Sequence, residues 1–443
     1  MIVMKFGGSS VADAQRIRHV ASIITSFSNK KPIVVLSAMG DTTDDLLAAS
    51  EEALNGNVNI DAVEKLHRET AETLGVSFSV IEPLLSELRT LLTGVSMLRE
   101  LSPRSRDYIV SFGERLSVRL MAEYLSSINH PAVYYDAWDI GMRSDSNFMS
   151  ADLLPETWDN IKNFFSDYGK KDNEPIPVVT GFIAKDKKGE ITTLGRGGSD
   201  LSATIIGAAL NVEEVQTWKD VDGIMSADPR IVKNAHTVPV ITYDEAAELA
   251  YFGAQVLHPR SMQPCLKTGT PVRVKNSYNI DSPGTRIIPW YTERPAHDVR
   301  AITAKKNVTL IDIVSTRMVG QSGFLSRVFD VFEECKISVD VVATSEVSIS
   351  LTVDGDAKLD KLKELLEKVA SVNIKEKKAI ITVICDITKS SSILAKAFNA
   401  LAEQKINIQM LSQGASKVNV SMICNENQVE TVLTSLHSAF FEK

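Results

Sequence analysis

The sequence has few of the residues that build metal centres, disulfides or membrane anchors. Its four cysteines, Cys265, Cys335, Cys385 and Cys424, are far apart, and neither a CxxC pair nor a histidine cluster occurs. We therefore expect no metal motif and no disulfide framework, only reduced core thiols. No apolar run reaches membrane-spanning length, and the first residues indicate a strand rather than a signal peptide. These absences predict a cytoplasmic protein with no membrane partner.

An excess of positive charge and the best-known nucleotide loop are also lacking. The formal net charge is −8 at pH 7, which gives no support to a nucleic-acid partner. The Walker pattern G-x-x-x-x-G-K-[ST] does not occur. What remains is an ordinary globular composition, 44% hydrophobic and 23% charged, over 443 residues. That length predicts two or three domains.

The first stretch that carries chemistry runs from Met4 to Val11 and contains Lys5 and the pair Gly7-Gly8. Apolar residues before it predict a buried strand, and the spacing over 11–27 predicts a helix after it. A strand that turns through glycines into a helix N-terminus is a ready anion site, because free N–H groups and the helix dipole face the ligand. Lys5 adds a point charge suited to phosphate. The alternative is a turn that merely needs glycine.

A second buried strand, 31–36, ends in the small-residue loop 37–43. Open α/β sheets hold their ligands at the carboxyl ends of such strands. An ordinary loop that caps the next helix through Asp41 or Thr42 explains the same residues.

Phe112-Gly113-Glu114 lies in a segment, 111–117, that we expect to open another helix. In a first helical turn, Glu114 would be a carboxylate favoured by the helix dipole. A ligand-binding role is the alternative.

A second glycine turn, Gly195-Arg196-Gly197-Gly198-Ser199-Asp200, also precedes a predicted helix. Its arginine has a planar fork that suits a carboxylate. Two glycine turns of this kind, each after a strand, favour a binding site over turn chemistry alone.

The strand 215–218 ends in Lys219-Asp220-Val221-Asp222-Gly223-Ile224. Asp220 and Asp222 could suggest a cation loop, but the calcium-loop ladder is missing, so we expect no protein-bound metal. His258 precedes a proline, and a structural role is the simpler interpretation there.

From about residue 284 the chain changes to short α/β units with an internal repeat. Lys336-Ile337-Ser338-Val339 recurs 69 residues later as Lys405-Ile406-Asn407-Ile408, and Phe329 matches Phe398 at the same offset. Each unit is typical of the βαββαβ ferredoxin-like pattern. Tandem units of this kind resemble the ACT domains that sense small amino acids.

Taken together, these motifs resemble those of the aspartokinases, a branch of the amino acid kinase family, in the family's order over nearly the whole chain. The motifs are Lys5-Phe6-Gly7-Gly8, Ser37-Ala38-Met39-Gly40-Asp41-Thr42, Phe112-Gly113-Glu114, Gly195-Arg196-Gly197-Gly198-Ser199-Asp200, Asp228-Pro229-Arg230 and Val256-Leu257-His258-Pro259. The resemblance implies an α/β fold, with an open, mainly parallel-sheet kinase domain followed by two ferredoxin-like ACT units. The expected divisions are 1–285 for the catalytic domain, 286–306 for a connecting segment, and 307–377 and 378–443 for the ACT units.

The resemblance also implies phosphorylation of the β-carboxylate of L-aspartate by ATP, with Mg²⁺ carried mainly by ATP. Its catalytic residues would be Lys5, Arg196 and Asp200. The ATP-binding residues would be Lys5, Phe6, Gly7, Gly8, Lys219, Asp220, Met225, Arg230, Gln255 and Val256. The substrate-binding residues would be Thr42, Glu114, Arg196, Gly197, Gly198, Ser199 and Asp200.

Two positions depart from the family pattern. Gln255 stands where many members carry a lysine near the nucleotide, and Lys219 is the candidate replacement. Met225 stands where several members carry tyrosine beside the adenine, and it can still pack on a flat base.

The ACT pair most resembles the lysine-sensitive kind, which implies lysine as effector and a homodimer or dimer of dimers through the ACT units. The expected effector residues are Met318, Gln321, Gly323, Phe324, Leu325, Ser338, Val339, Asp340, Ser345 and Glu346. Asp340 and Glu346 could take up the two ammonium groups of lysine. The second unit has Gln409 and Ala415 at the equivalent positions, so we place the effector in the first.

Two other functions compete with this interpretation. One is a sibling kinase that acts on glutamate or acetylglutamate, which the Phe-Gly-Gly-Ser-Ser run and the tandem ACT pair disfavour. The other is a catalytically inactive amino-acid sensor, which the joint presence of Lys5, Glu114, Arg196 and Asp200 disfavours.

Overall fold

The structure, a computed structural model, describes residues 1–171, 173–253, 256–293, 295–315, 323–414 and 416–442. These residues form two compact units. The first unit comprises residues 1–224, 239–243 and 256–291. The second comprises residues 225–238, 244–255 and 292–443.

The strands are numbered in chain order. They are β1 (Ile2–Phe6), β2 (Pro32–Leu36), β3 (Ala132–Tyr135), β4 (Arg143–Ser144), β5 (Ile176–Thr180), β6 (Ile183–Asp186), β7 (Ile191–Thr193), β8 (Glu214–Lys219), β9 (Val240–Thr242), β10 (Val272–Asn276), β11 (Thr285–Ile288), β12 (Val299–Val314), β13 (Val342–Thr344), β14 (Ser348–Asp354), β15 (Ser371–Cys385), β16 (Met410–Gln413) and β17 (Asn419–Asn425).

The α-helices are numbered in the same way, and short 3-10 turns lie between some of them. The helices are α1 (Ala14–Ser26), α2 (Thr42–Leu54), α3 (Asp61–Leu74), α4 (Glu82–Leu98), α5 (Pro103–Ser127), α6 (Glu156–Phe164), α7 (Gly198–Leu210), α8 (Tyr243–Tyr251), α9 (Pro259–Thr268), α10 (Phe324–Glu334), α11 (Asp360–Glu367), α12 (Ser390–Glu403) and α13 (Val429–Phe441). None of the helices in the described ranges is long and apolar enough to cross a membrane.

An eight-stranded sheet in the order β3-β5-β2-β1-β8-β10-β11-β9 forms the centre of the first unit. Its neighbours run parallel except for the antiparallel pair of β10 and β11. The apolar runs of β1, β2 and β5 are buried at every position, as expected for parallel strands covered by helices on both faces. In the core, the rings of Phe6 and Trp218 stack with centroids 5.7 Å apart.

The register of this sheet brings several strand ends to one edge. Phe6 pairs with Leu36 on one side and with Trp218 on the other, and Leu36 pairs with Thr180. The turns that follow β1, β2, β5 and β8 are therefore neighbours. Such an edge is where open α/β sheets bind ligands.

Helix α5 differs from the sequence prediction. The helix does not open near residue 111; it begins at Pro103, where Ser102 caps it by accepting from the Ser105 N–H group. Glu114 therefore lies in the middle of a 25-residue helix rather than in its first turn. The interpretation of Glu114 as a carboxylate favoured by the helix dipole was wrong, because that effect is confined to the first turn.

The second unit contains a six-stranded antiparallel sheet in the order β13-β14-β12-β15-β17-β16. The long strands β12 and β15 pair along most of their length and serve both repeats, which gives the predicted ferredoxin-like pair. Residues 299–305, within the predicted connecting segment, form the first half of β12. Two pieces of the predicted catalytic domain also pack here: Ala227 and Val232 enter one core cluster of this unit, and Phe252 enters another.

Candidate active site

A buried carboxylate between two lysines lies at the carboxyl edge of the first sheet. Asp200, in the first turn of α7, contacts the Nζ atom of Lys5 at 2.8 Å and that of Lys219 at 3.4 Å. Burial opposes ionisation of Asp200, but the charges of the two lysines hold its pKa below the usual value. Two ammonium groups against one carboxylate leave a net positive charge in a site largely shielded from water.

The glycine turn after β1 is closed by the loop after β2. The Gly40 N–H group donates to the Gly8 carbonyl at 3.1 Å. A Cβ atom at Gly8 would lie 2.8 Å from the carbonyl oxygen of Ala38, so a side chain there would force the two loops apart. The Lys5 ammonium lies over the same turn, 3.7 Å from the Cβ position of Gly7. The Lys5 ammonium group therefore lies beside the backbone of this turn.

Glu114 approaches the loop after β2 from α5. The neighbouring Gly113 permits this, because a Cβ atom there would lie 2.6 Å from the Cβ atom of Ala38. The Ala38 N–H group donates to Oε1 of Glu114 at 3.1 Å, while Oε2 has no hydrogen-bond partner among the described residues. Burial raises the pKa of Glu114 to about 8. A carboxyl group with a free buried oxygen is suited to receiving a cation.

The arginine turn lies between β7 and α7. Gly195 and Gly197 have φ values of +70° and +74°, a conformation that most side chains resist. Arg196 is exposed, and no hydrogen bond or ion pair within the described ranges reaches its guanidinium group. Ser199 is buried at the start of α7, and its Cβ atom lies 2.7 Å from the Cβ position of Gly181. The turn thus presents a free guanidinium group near the end of β5.

Sequence reasoning missed Phe182, which follows Gly181 at this edge. Phe182 has φ +66°, uncommon for a residue with a side chain. Its N–H group donates to the Ser202 hydroxyl at 3.1 Å, and its carbonyl accepts from the Leu194 N–H group at 2.8 Å. Only the glycine before it hints at this geometry in the sequence.

The other predicted site residues are placed as follows. Thr42 is fully buried at the start of α2 and donates its hydroxyl proton to the Met39 carbonyl at 2.6 Å, so only its acceptor capacity remains. Asp220 is exposed, and Val256 is half-buried in the first unit. His258 caps α9 by accepting from the Arg260 N–H group at 3.2 Å.

Two of the predicted ATP-binding residues that the structure describes lie outside the first unit, which contains Lys5. Met225 and Arg230 belong to the second unit, where the Met225 sulfur accepts from the Thr237 hydroxyl and Arg230 pairs with Asp228 at 2.8 Å. Gln255 lies outside the described residues. Within the described ranges, no group of three or more acidic, histidine or cysteine side chains could hold a metal ion.

Comparison with known proteins supplies the family. The sequence model of the amino acid kinase family matches residues 1–276, and that of the ACT domain matches residues 311–368 and 381–440. Aspartokinase 2 of Arabidopsis thaliana, a chloroplastic protein, is 50% identical over 460 residues, which cover 99% of this chain and 84% of the relative. The chain belongs to the aspartokinases of the amino acid kinase family.

Similarity to the Escherichia coli protein extends to structure. Its lysine-sensitive aspartokinase 3 is 34% identical over 462 residues, covering 100% of this chain and 99% of the relative. A crystal structure of E. coli aspartokinase III with aspartate and ADP superimposes with a TM-score of 0.79 at 33% identity over all of both chains. A second, with lysine and aspartate, gives 0.80 at 33% identity over 100% of this chain and 99% of that one.

In the ACT region of this aspartokinase, Asp340 is already engaged. Its carboxylate contacts the Lys305 ammonium at 2.9 Å and accepts from the Tyr251 hydroxyl at 2.8 Å, and its side chain is only 3% exposed. Lys305 also contacts Asp354 at 2.7 Å. The carboxylate that we expect to receive an ammonium group of lysine therefore already pairs with an internal ammonium group.

The other expected effector residues differ in their exposure to solvent. Gly323, with φ +82°, caps α10, Phe324 is buried and Leu325 is 43% exposed. Ser338, Ser345 and Glu346 are exposed, and Val339 is half-buried. Met318 and Gln321 lie outside the described residues, as does Ala415 in the second repeat.

Proposed function

We propose that this chain transfers the γ-phosphoryl group of ATP to the β-carboxylate of L-aspartate, giving 4-phospho-L-aspartate for lysine, threonine, methionine and diaminopimelate synthesis. One observation carries the proposal for the site: Lys5 and Lys219 share the single carboxylate Asp200 beside the glycine turn. The surplus positive charge suits the phosphates of ATP. The complex of E. coli aspartokinase III with aspartate and ADP supports the choice of substrates.

The reaction needs no general base. The β-carboxylate of aspartate has a reference pKa of about 3.9 and is ionised at neutral pH. The work of the protein is therefore positioning and neutralisation of charge. Lys5, with the backbone of Phe6, Gly7 and Gly8, would hold the phosphates while the phosphoryl group moves in line.

Aspartate itself would be held by two complementary charges. The free guanidinium group of Arg196 would bind the α-carboxylate, and Glu114 would receive the α-ammonium group on its unpartnered Oε2 atom. Ser199 and the acceptor side of Thr42 would add hydrogen bonds. Gly197 would supply a backbone donor next to Gly198, whose own N–H group donates to the Gly195 carbonyl at 3.0 Å. Asp200 would act through Lys5 and Lys219.

For ATP we propose Asp220, Met225, Arg230, Gln255 and Val256 as further contacts, and Lys219 as the cation in place of the family lysine at Gln255. Mg²⁺ would bind mainly through ATP oxygens and waters, as is usual for that ion. When bound there, it would neutralise phosphate charge.

We also propose that lysine inhibits this enzyme through the first ACT unit. The E. coli relative is named lysine-sensitive and has been solved with lysine and aspartate. The effector carboxylate would bind at the start of α10 after Gly323, and its ammonium group would displace Lys305 from Asp340. Exposed Leu325 and Phe329 on α10 suit pairing of ACT units in a homodimer or dimer of dimers.

The domain divisions after residues 285, 306 and 377 remain part of this proposal. The predicted cytoplasmic location also stays a prediction, and the Arabidopsis relative named above is chloroplastic.

A coupled ADP-release assay with aspartate, glutamate and acetylglutamate tests the function. Of the three acceptors, we expect only aspartate to support ATP-dependent turnover. Hydroxylamine should trap the acyl phosphate product as an acyl hydroxamate. Turnover with glutamate or acetylglutamate instead would assign a sibling kinase. Binding of lysine without turnover on any of the three would assign an amino-acid sensor.

A further inference from the structure

Asp107 is a buried carboxylate on α5 whose contacts cross to two other segments. Its Oδ2 atom accepts from the Met149 and Thr193 N–H groups, both at 2.9 Å, and its Oδ1 atom accepts from the Thr193 hydroxyl at 2.8 Å. The residue is only 1% exposed. Burying a carboxylate costs free energy, and three hydrogen bonds offset that cost only while the donors stay in place.

Two of the three hydrogen bonds come from Thr193, which lies just before the arginine turn. Thr193 ends β7, three residues before Arg196. Its carbonyl accepts from the Ala151 N–H group at 2.9 Å, and the Met149 carbonyl lies 3.2 Å from the Cβ position of Gly195. Asp107 thus fixes β7 and the neighbouring loop to each other and to α5.

Glu114 lies on the same helix as Asp107. Asp107 and Glu114 are seven residues apart on α5, two helical turns, so they lie on one face about 10 Å apart along the axis. One helix therefore carries the carboxyl group proposed for the substrate ammonium and holds the turn proposed for its carboxylate. Arg196 has no partner of its own in the described ranges, so the backbone beneath it must set its position.

We propose that Asp107 is a positioning residue that holds the Arg196 turn at a fixed spacing from Glu114, so that the two groups match the α-carboxylate and α-ammonium of one amino acid. This inference rests on the proposed function. The spacing matters because a misplacement of about 1 Å in a bound substrate can cost ~10²-fold in rate.

The test measures both Michaelis constants in Asp107→Ala. We expect the KM for aspartate to rise at least ~10-fold while the KM for ATP stays within about twofold, since only amino-acid binding depends on the spacing. Asp107→Asn should restore the aspartate KM to within about threefold, because the amide oxygen can accept both N–H groups while its NH₂ donates to the Thr193 hydroxyl. If Asp107→Ala does not fold, Thr193→Val, which removes one bond, should show a smaller split in the same direction.

Asp136 provides the matched control, a carboxylate buried to 5% exposure in the same unit. It accepts two hydrogen bonds of 3.0 and 3.1 Å from Arg119 and lies 3.6 Å from Arg115, so its charged partners are on α5 and none is in the arginine turn. Asp136→Asn should lower Tm without separating the two KM values. The inference is overturned if Asp107→Ala raises both KM values equally or only lowers Tm, if Asp136→Asn produces the same split, or if Asp107→Asn fails to rescue. Lack of aspartate turnover in the wild type would instead refute the proposed function.

Discussion

The protonation state of Glu114 leads to a quantitative prediction about substrate binding. Burial raises its pKa to about 8, because the carboxyl group has lost water and the hydrogen bond from Ala38, which lowers the pKa, does not offset that loss. Without substrate at neutral pH the group is therefore mostly protonated. If it binds the ammonium group of aspartate it must ionise, so binding should release a proton below pH 8.

The size of the effect follows from the distance between pH and pKa. Each pH unit below the pKa lowers the ionised fraction of Glu114 about tenfold. This costs about 1.36 kcal/mol of binding free energy, because only the ionised form pairs with the ammonium group. At pH 6, two units below 8, the cost is about 2.7 kcal/mol. The kcat/KM for aspartate should therefore rise ~50-fold from pH 6 to pH 8 and level off above pH 9 at ~100-fold its value at pH 6. The KM for ATP should lack this limb.

The assay is a pH profile of kcat/KM for aspartate and of the KM for ATP, in the wild type and in Glu114→Gln. The amide cannot titrate, so the variant should lose the limb as well as much of its affinity for aspartate. Calorimetry of aspartate binding in buffers of different ionisation enthalpy should show release of close to one proton at pH 7 in the wild type only. A flat wild-type profile, or a limb that persists in Glu114→Gln, would refute this role for Glu114.

Three further predictions concern phosphate, substrate and effector. Lys5→Ala should lower kcat at least ~10²-fold in a folded enzyme, because a charge on the transferring phosphoryl group is lost, and near-normal turnover would remove Lys5 from the mechanism. Arg196→Lys keeps the charge but loses the fork, so the KM for aspartate should rise much more than that for ATP; equal rises would assign Arg196 to the nucleotide or the scaffold. Lys305→Met should lower the lysine concentration for half-inhibition ~10-fold by freeing Asp340, and Asp340→Ala should abolish inhibition, with threonine as a control ligand. Wild type unaffected by millimolar lysine, or Asp340→Ala inhibited as strongly as wild type, would contradict the effector site.

Several features of this protein were determined by local sequence. The motifs that resemble the amino acid kinase family implied the mainly parallel sheet, and the 69-residue repeat predicted the ferredoxin-like pair; both predictions are confirmed. The two glycine turns were visible because their geometry needs a missing side chain, as at Gly8 and Gly197. Such requirements act within a few residues, so they leave a mark in the sequence.

Burial and charge pairing were decided only by the tertiary structure. Glu114 was expected in a first helical turn, yet α5 begins at Pro103, and burial of the carboxyl group in the middle of that helix raises its pKa. Asp340 was predicted as a partner for the effector, and only the structure shows that β12 brings Lys305 to it. These partners are distant in sequence. Whether a carboxylate is solvent-exposed, paired, or buried without a partner depends on which segments fold against it, and the local sequence does not show this.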